Sequence, residues 1–263
     1  MTLFLTALLA HMLSDFVLQP ESLVQLKTEG RVKGFVIHWA VVFCVTTLFL
    51  LPFGVRISLI FSLPVSVLHI IVDIGKLSLK NLSAPFSRLY LFICDQMAHL
   101  LIIAANLILV EALLYPSSIE TLLVDMGLRE VASEFGEKSF GPTLDYALLI
   151  LSAVVFTVFA GAHIVRLILD GAAVPLNYRI PSAGRLVGML ERFIILVLVL
   201  SGSLSAVGFV LAAKSVARFR ELEDRDFAEY YLIGTLASAG LGLVAGVACR
   251  YLQPTLNHSV PLW

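Results

Sequence analysis

Apolar residues fill the chain in about seven stretches, each near the roughly 20 residues that a helix needs to cross bilayer hydrocarbon. Helix-breaking residues such as Pro52 and Gly54 punctuate the short connections. The pattern therefore predicts an all-α fold, a polytopic transmembrane helical bundle. The predicted membrane helices cover approximately residues 2–18, 34–51, 57–78, 86–115, 145–169, 189–213 and 229–251.

The longest polar connection separates the fourth helix from the fifth. It is rich in glutamate and has apolar residues at near-helical spacing after Ser118, which predicts an amphipathic helix lying on the membrane surface. We predict a four-helix membrane domain over residues 1–115, an extramembrane loop with the surface helix over residues 116–144, and a three-helix membrane region over residues 145–263.

The composition supports a membrane protein and argues against other classes. The 263 residues are 59% hydrophobic and 14% charged, which lies outside the range of soluble globular proteins. A formal net charge of -1 indicates no nucleic-acid partner and leaves membrane lipids as the expected surroundings. The three cysteines stand singly within apolar stretches, and we interpret them as core thiols.

The distribution of lysine and arginine predicts an orientation, because basic residues concentrate in short cytoplasmic loops. With the N-terminus outside and the C-terminus inside, eleven of the 18 basic residues fall on or near the cytoplasmic side. Lys214, Arg218, Arg220 and Arg225 fall on the other side and argue against this orientation. Either the sixth segment is not a simple crossing or the topology differs there.

Ionisable residues interrupt the first four predicted helices, where each costs several kcal/mol unless it is paired, ligated or hydrated. Three of these helices carry a histidine and an aspartate four residues apart, which places both side chains on one helix face. The residues are His11 with Asp15, His69 with Asp73, Asp95 with His99, and His38 alone on the second helix. Such groups within a membrane predict a functional site.

These seven residues also share a depth in the predicted bundle. The first pair precedes the loop at residues 19–33 and His38 follows it, while the second pair precedes the loop at residues 79–85 and the third follows it. In an up-down bundle such positions fall in the same half of the membrane. We therefore predict that the side chains converge in one pocket on the cytoplasmic side.

Imidazole and carboxylate ligands together suit Zn, Mn or Fe(II), and we expect a divalent metal, zinc first. Seven donors exceed the needs of one tetrahedral ion, so either some of them orient the ligands or two ions share the site. The predicted ligands are His11, Asp15, His38, His69, Asp73, Asp95 and His99, with Asp15, Asp73 and Asp95 also as catalytic carboxylates. Gln19, Lys76 and Gln96 are predicted to support them, although cap or loop contacts explain the two glutamines equally well. Lys76 can instead extend to the interface from the helix end, pair with Asp73 or bind an anion.

The His/Asp residues also allow two other interpretations. They can form a proton or ion relay, or separate hydrogen bonds that hold helices together at about 1 kcal/mol each. The relay predicts a transporter or channel, although no pair of broken helices in matching positions is visible.

The C-terminal half carries two further patterns. Lys214 and Arg218 share a helix face and can contact an anionic headgroup, although interleaved acidic residues also suit local ion pairs, with Glu191 as a candidate partner across the bundle. A stripe of small residues predicts close helix packing within the chain or a homodimer. The stripe consists of Gly234, Ser238, Gly242 and Gly246.

The motifs "AHMLSDFVLQ", "HIIVDIGK" and "FICDQMAH", with Lys27 and His38, resemble the bacterial membrane-protein family of domain of unknown function 3307. The resemblance covers approximately residues 3–110 and implies a multi-pass protein of the bacterial inner membrane. The polar pattern of the family falls on the seven His/Asp residues and on Gln19, Lys76 and Gln96. The resemblance implies no activity, and a likeness in style to membrane proteins labelled metal-dependent hydrolases is analogy alone.

The leading functional hypothesis is hydrolysis of a lipid-like or amphipathic substrate by a metal-activated water. A proton- or cation-coupled transporter is the alternative from another class. The third hypothesis is a noncatalytic membrane interaction or assembly protein, for which the small-residue stripe and the surface helix would be the contact surfaces.

Overall fold

The computed structural model describes residues 1–79, 84–114, 142–172 and 182–256. These residues form helices and contain no β-strand, which confirms the all-α class. The predicted surface helix after Ser118 lies outside the described residues. We number the α-helices α1 (Thr2–Phe16), α2 (Glu21–Thr28), α3 (Val32–Leu50), α4 (Val55–Ser78), α5 (Ser87–Leu114), α6 (Pro142–Val155), α7 (Gly161–Gly171), α8 (Ser182–Leu200), α9 (Leu204–Ala217) and α10 (Arg225–Leu256).

Five segments of the described chain are long and apolar enough to cross a membrane. A sixth is added if α1 and α2, bent by 82° at Gln19 and Pro20, count as one broken span. Large apolar side chains on these helices are exposed, as lipid contact requires. The protein is therefore a membrane protein, and its described residues contain five or six candidate spans by length and composition, against the seven predicted. The five segments are Val32–Phe53, Val55–Ser78, Ser87–Val110, Pro142–Gly171 and Arg225–Gln253.

The sixth predicted helix, residues 189–213, is wrong as a single crossing. The chain leaves α8 at Leu200 and starts α9 at Leu204, with Gly202 at a φ of +80° between them. The N–H of Ser203 donates to the carbonyl of Leu198 at 2.8 Å, a helix-ending bond of the Schellman type that glycine permits. Nothing in the sequence indicated this turn, because the residues around it are apolar. Helix α9 folds back along α8, so that Lys214 pairs with Glu191.

The described residues divide into two compact units. The first contains Met1–Ser78 and Cys94–Leu148, and the second contains Leu79–Ile93 and Leu149–Trp263. Helices α5 and α6 thus contribute to both units. The three regions predicted from the sequence, residues 1–115, 116–144 and 145–263, stay a prediction.

The apolar core of the first unit lies beside its polar residues along the same helix faces. Its buried members come from α1, α3, α4 and α5, the four helices that also carry the seven His/Asp residues. Residues spaced by three or four positions share a helix face. The buried face of each helix therefore carries apolar residues at one end and ionisable residues at the other. The core residues are Ala7, Leu50, Phe61, Val65, Ile103 and Val110.

Helix α2 packs against the start of α3 through a glycine. A Cβ on Gly34 would lie 2.8 Å from the Cβ of Leu26 and 2.9 Å from the backbone nitrogen of Lys27. Gly30, at a φ of +73°, turns the chain from α2 into α3. The close approach holds Lys27 beside the helices that carry the histidines.

In the second unit, the small-residue stripe of α10 packs on helices of the same chain. A Cβ on Gly246 would lie 2.6 Å from Cγ1 of Val199, and one on Gly242 would lie 2.9 Å from Cγ2 of Ile195. Residue numbers rise together along α8 and α10, so the two helices are parallel. The predicted close packing is thus used within the chain, and a homodimer through Gly234, Ser238, Gly242 and Gly246 stays a prediction.

Candidate metal centre

All seven predicted ligand residues lie together in the first unit. They form three overlapping groups, and within each group one ligand atom per residue lies within 4.8 Å of all the others. His38, His69 and His99 are almost fully buried. The groups are His11, Asp15, His69 and His99; His38, His69 and Asp73; and Asp73, Asp95 and His99.

Two carboxylate oxygens, from Asp15 and Asp73, lie close to the paired Nε2 atoms of His38 and His69. Nε2 of His38 lies 3.0 Å from Nε2 of His69, and Oδ1 of Asp15 lies 3.3 and 3.2 Å from these two nitrogens. Oδ2 of Asp73 lies 3.5 Å from His38 and 3.8 Å from His69. Metal–nitrogen bonds of about 2.0–2.1 Å place tetrahedral ligands about 3.3 Å apart. Nε2 of His38, Nε2 of His69 and Oδ1 of Asp15 therefore have the spacing of three ligands of one zinc-sized ion, and Oδ2 of Asp73 lies close enough to both nitrogens to be a fourth.

Several of these polar atoms are buried without a hydrogen bond in the described part of the chain. Oδ1 of Asp15 makes none, although two imidazole nitrogens lie within 3.3 Å. Oδ1 of Asp95 and the Nδ1 atoms of His38 and His99 are also unsatisfied. A buried polar atom without a partner costs about 1–3 kcal/mol. A bound cation would satisfy the carboxylate oxygens, which supports a metal.

His69 is the hub of the imidazole cluster. Its ring stacks on that of His99 at 3.9 Å between centroids and 15° between planes. The rings of His38 and His11 lie 5.0 and 5.4 Å from it. His69 therefore takes part in both histidine-rich groups, and Asp73 and His99 each take part in two groups. Shared residues of this kind suit two neighbouring ions as well as one.

Two lysines reach the carboxylates of the cluster. Lys27 Nζ donates to Oδ2 of Asp73, and Lys76 Nζ donates to Oδ2 of Asp95 at 2.7 Å. Sequence reasoning placed Lys76 among the supporting residues but gave Lys27 no role in the site, because a lysine in a polar loop has no spacing that relates it to the helices. Only the bend after α1 and the packing of α2 bring it there.

The two predicted glutamines also lie at the site. The Gln96 amide donates to Oδ2 of Asp95 at 3.2 Å. Gln19, with its amide in the orientation its neighbours require, accepts from Lys27 at 2.6 Å and donates to the carbonyl of Asp15 at 3.2 Å. Each glutamine thus touches a lysine or aspartate of the cluster.

The second unit contains its own buried charges. Lys214 Nζ lies 2.5 Å from Oε2 of Glu191 and donates to Thr235 at 3.1 Å, so the candidate pair across the bundle forms. Arg218 lies 3.5 Å from Glu221 and above the ring of Phe227. The headgroup contact predicted for Lys214 and Arg218 stays a prediction.

Arg192 is a buried cation that sequence reasoning counted only among the eleven basic residues on or near the cytoplasmic side. Its Nε donates to the carbonyl of Thr157 at 2.7 Å and one terminal nitrogen donates to that of Val158 at 3.1 Å. Both carbonyls belong to a π-helical turn, Phe156–Ala160, between α6 and α7. Such a turn offers main-chain acceptors that a regular helix uses internally. Ser238 of α10 accepts a third bond at 3.3 Å.

Comparison with known proteins bears out the resemblance of the N-terminal half. Residues 3–124 match the profile of a family described as "Protein of unknown function (DUF3307)". This stretch contains every residue of the candidate metal centre. No curated protein and no solved structure shows significant similarity to the chain.

Proposed function

We propose that this chain, whose residues 3–124 match the DUF3307 family, is an integral membrane protein with a divalent metal centre that hydrolyses a lipid-like or amphipathic substrate. Zinc is the expected ion, and manganese and iron are the alternatives that the same ligands suit. The proposed location is a bacterial inner membrane, with the substrate arriving from the lipid or from the cytoplasmic face.

The observation that carries the proposal is the spacing of four donor atoms from three helices. The Nε2 atoms of His38 and His69 lie 3.0 Å apart and 3.2 to 3.8 Å from the oxygens of Asp15 and Asp73, separations that bracket the edge of a tetrahedral zinc site. Isolated hydrogen-bonded pairs do not require donors from different helices to meet at one point. The convergence therefore supports an ion over separate structural pairs.

Further donors beside this set support catalysis over a purely structural ion. Structural zinc sites are closed by four protein ligands, whereas catalytic sites adjoin groups that handle protons and substrate. Asp95 Oδ1 is buried and makes no hydrogen bond in the described chain, and His99 lies in the same donor group. The metal would supply acidification of water and charge stabilisation. Asp95 can accept the proton that the attacking water loses.

The second candidate function is proton- or cation-coupled transport. It is favoured by the continuity of the buried titratable groups, since Asp15 contacts His38 and His69 and both histidines contact Asp73. Chains of Asp and His within membranes carry protons in pumps and transporters. This function needs the same residues but no bound metal.

Metal analysis of the purified full-length protein tests the proposal. We expect one or two equivalents of zinc, manganese or iron in the wild type, and loss of metal in His69→Ala and His38→Ala. His163→Ala and Asp170→Ala are matched controls, because both residues are exposed and belong to the second unit. A metal-free wild type that remains so after incubation with each ion contradicts the proposal. An ion flux into liposomes that contain the metal-free protein, and that changes with pH, would then support transport.

A further inference from the structure

The two lysines of the cluster point to the chemical class of the substrate. We propose that the site takes a phosphoester of an amphipathic alcohol, whose phosphate group is held by Lys27 and Lys76. This inference rests on the proposed metal centre and narrows its substrate.

Lys27 is built into the site from outside the histidine-bearing helices. Its ammonium group contacts Oδ2 of Asp73, the same oxygen that lies 3.5 Å from Nε2 of His38. Gln19 accepts a second hydrogen bond from its ammonium group at 2.6 Å. The Lys27 side chain is only 14% exposed. A metal ion that bound Asp73 would weaken the ion pair between this carboxylate and Lys27. The Lys27 ammonium group, which would then lie beside the ion, would need another anionic partner.

Lys76 contacts a different carboxylate of the donor groups. Its Nζ lies 2.7 Å from Oδ2 of Asp95, and its side chain is 35% exposed. Asp95 and Asp73 belong to one donor group with His99. The lysines therefore bind two carboxylates of the same group, and a ligand seated at that group lies within reach of both.

The charge balance of the loaded site favours an anion. With neutral imidazoles, Asp15, Asp73 and Asp95 with the two lysines carry a single negative charge. One divalent ion makes the site positive by one, and a second makes it positive by three. Excess charge in a water-poor interior is costly unless a counter-charge enters with the ligand. A neutral ester or amide supplies none.

Among anions, a phosphate group matches the number of donors. It has several oxygens around a tetrahedral centre, so it can contact a metal and two ammonium groups at once, whereas a carboxylate has two oxygens and one charge. Lysine is a frequent phosphate ligand in proteins as a point charge.

The reaction is a balanced hydrolysis. A water oxygen forms a bond to phosphorus, and the ester P–O bond breaks. The water proton passes to a carboxylate, with Asp95 as the available acceptor, and the departing alkoxide takes up a proton to become the alcohol. The products are the alcohol and inorganic phosphate, and no oxidant or reductant takes part.

The test uses the zinc-loaded full chain in detergent or nanodiscs. Three probes separate the sources of phosphate: inorganic phosphate as a competing ligand, p-nitrophenyl phosphate as a soluble ester, and phosphatidate vesicles as a lipid ester. We expect phosphate release from vesicles, and inhibition of it by inorganic phosphate. Turnover of the soluble ester alone would keep the phosphoester class and overturn the lipid source.

Lys27→Met and Lys76→Met should each weaken inhibition by inorganic phosphate at least about tenfold, the size of one lost charge-assisted hydrogen bond, with metal content unchanged. Lys33→Met is the matched control, because Lys33 is exposed at the start of α3, and Lys27→Arg should keep most of the affinity.

Two outcomes overturn the inference. Zinc-loaded wild type that neither binds inorganic phosphate nor cleaves either ester excludes the phosphate class while leaving the metal centre intact. Loss of metal in both methionine variants shows that the lysines build the site and do not hold substrate. A wild type without metal is a different result, because it removes the proposed function itself.

Discussion

The Nε2 atoms of His38 and His69 face each other at 3.0 Å between helices α3 and α4. Two neutral imidazoles can share at most one proton at this contact, and the same atoms also lie 3.3 and 3.2 Å from Oδ1 of Asp15. Three atoms that can each ligate a metal therefore meet at this point, which is the arrangement that a metal site needs. The first prediction follows from this contact.

Zinc should stabilise the protein through His38. At about 100 times its dissociation constant, an ion that binds only the folded state adds about 2.7 kcal/mol to the free energy of unfolding. We expect zinc to raise the Tm of the wild type in detergent and to have no effect on His38→Ala. His163→Ala should respond as the wild type does. An equal zinc response in His38→Ala would remove this histidine from the ligand set.

Removing one partner of the buried pair of Glu191 and Lys214 should strongly destabilise the second unit. Lys214→Met leaves a carboxylate that is almost wholly buried without its cation, which lowers the free energy of unfolding by up to about 3–5 kcal/mol. Combining it with Glu191→Gln should recover much of the loss. Both are measured by chemical unfolding in mixed micelles.

The control for that pair is the contact between Arg225 and Glu229, whose side chains are 90% and 58% exposed. Arg225→Met should change the free energy of unfolding by no more than about 0.5 kcal/mol, because exposed pairs contribute little. A similar loss in both variants would mean that Lys214 is not specially placed.

The contact of Gly246 with Val199 should tolerate no added methyl group. The new Cβ of Gly246→Ala would lie 2.6 Å from a Val199 methyl, so α8 and α10 must separate. Overpacking of this kind costs about 1–3 kcal/mol, and we expect a lower Tm. Gly240→Ala on the same helix is the matched control, because nothing lies within 4 Å of its added Cβ. Equal Tm values for the two variants would contradict the parallel packing of α8 and α10.

The hairpin of α8 and α9 predicts which loops share a side of the membrane. With Cys44, Cys94 and Cys249 replaced, cysteines introduced by Arg185→Cys and Arg220→Cys should react with an impermeant thiol reagent from one side. Ser201→Cys at the turn should react from the other, since α8 has 19 residues, enough to approach the far surface. Labelling of positions 185 and 220 from opposite sides would contradict the hairpin.

This arrangement also changes the orientation inferred from charge. A hairpin returns Lys214, Arg218, Arg220 and Arg225 to the side of Arg185, so these four residues no longer oppose the basic-residue bias. One further crossing by α10 then moves the C-terminus to the other side. We therefore expect a C-terminus outside the cytoplasm, in place of the inside location predicted for a seven-helix chain.

The positions of the ionisable pairs could be read from the sequence because helix geometry is local. A spacing of four residues places His69 beside Asp73 in any α-helix, and long apolar runs identify membrane helices from composition. The same local rules failed at Gly202, because serine and glycine also occur within membrane helices. These rules also gave no role to Arg192, whose carbonyl acceptors lie 34 and 35 residues away along the chain.

By itself, the sequence determined an all-helical membrane protein and the helix faces that carry His11, Asp15, His69, Asp73, Asp95 and His99, since residue spacing and apolar length suffice for both. The tertiary structure alone decided that His38 meets His69, that Lys27 reaches Asp73, and that α9 folds back on α8. These contacts join residues from different helices, and their formation depends on turns and on close packing at single glycines such as Gly34. Neither the turns nor the close packing at single glycines produces a periodic pattern in the sequence.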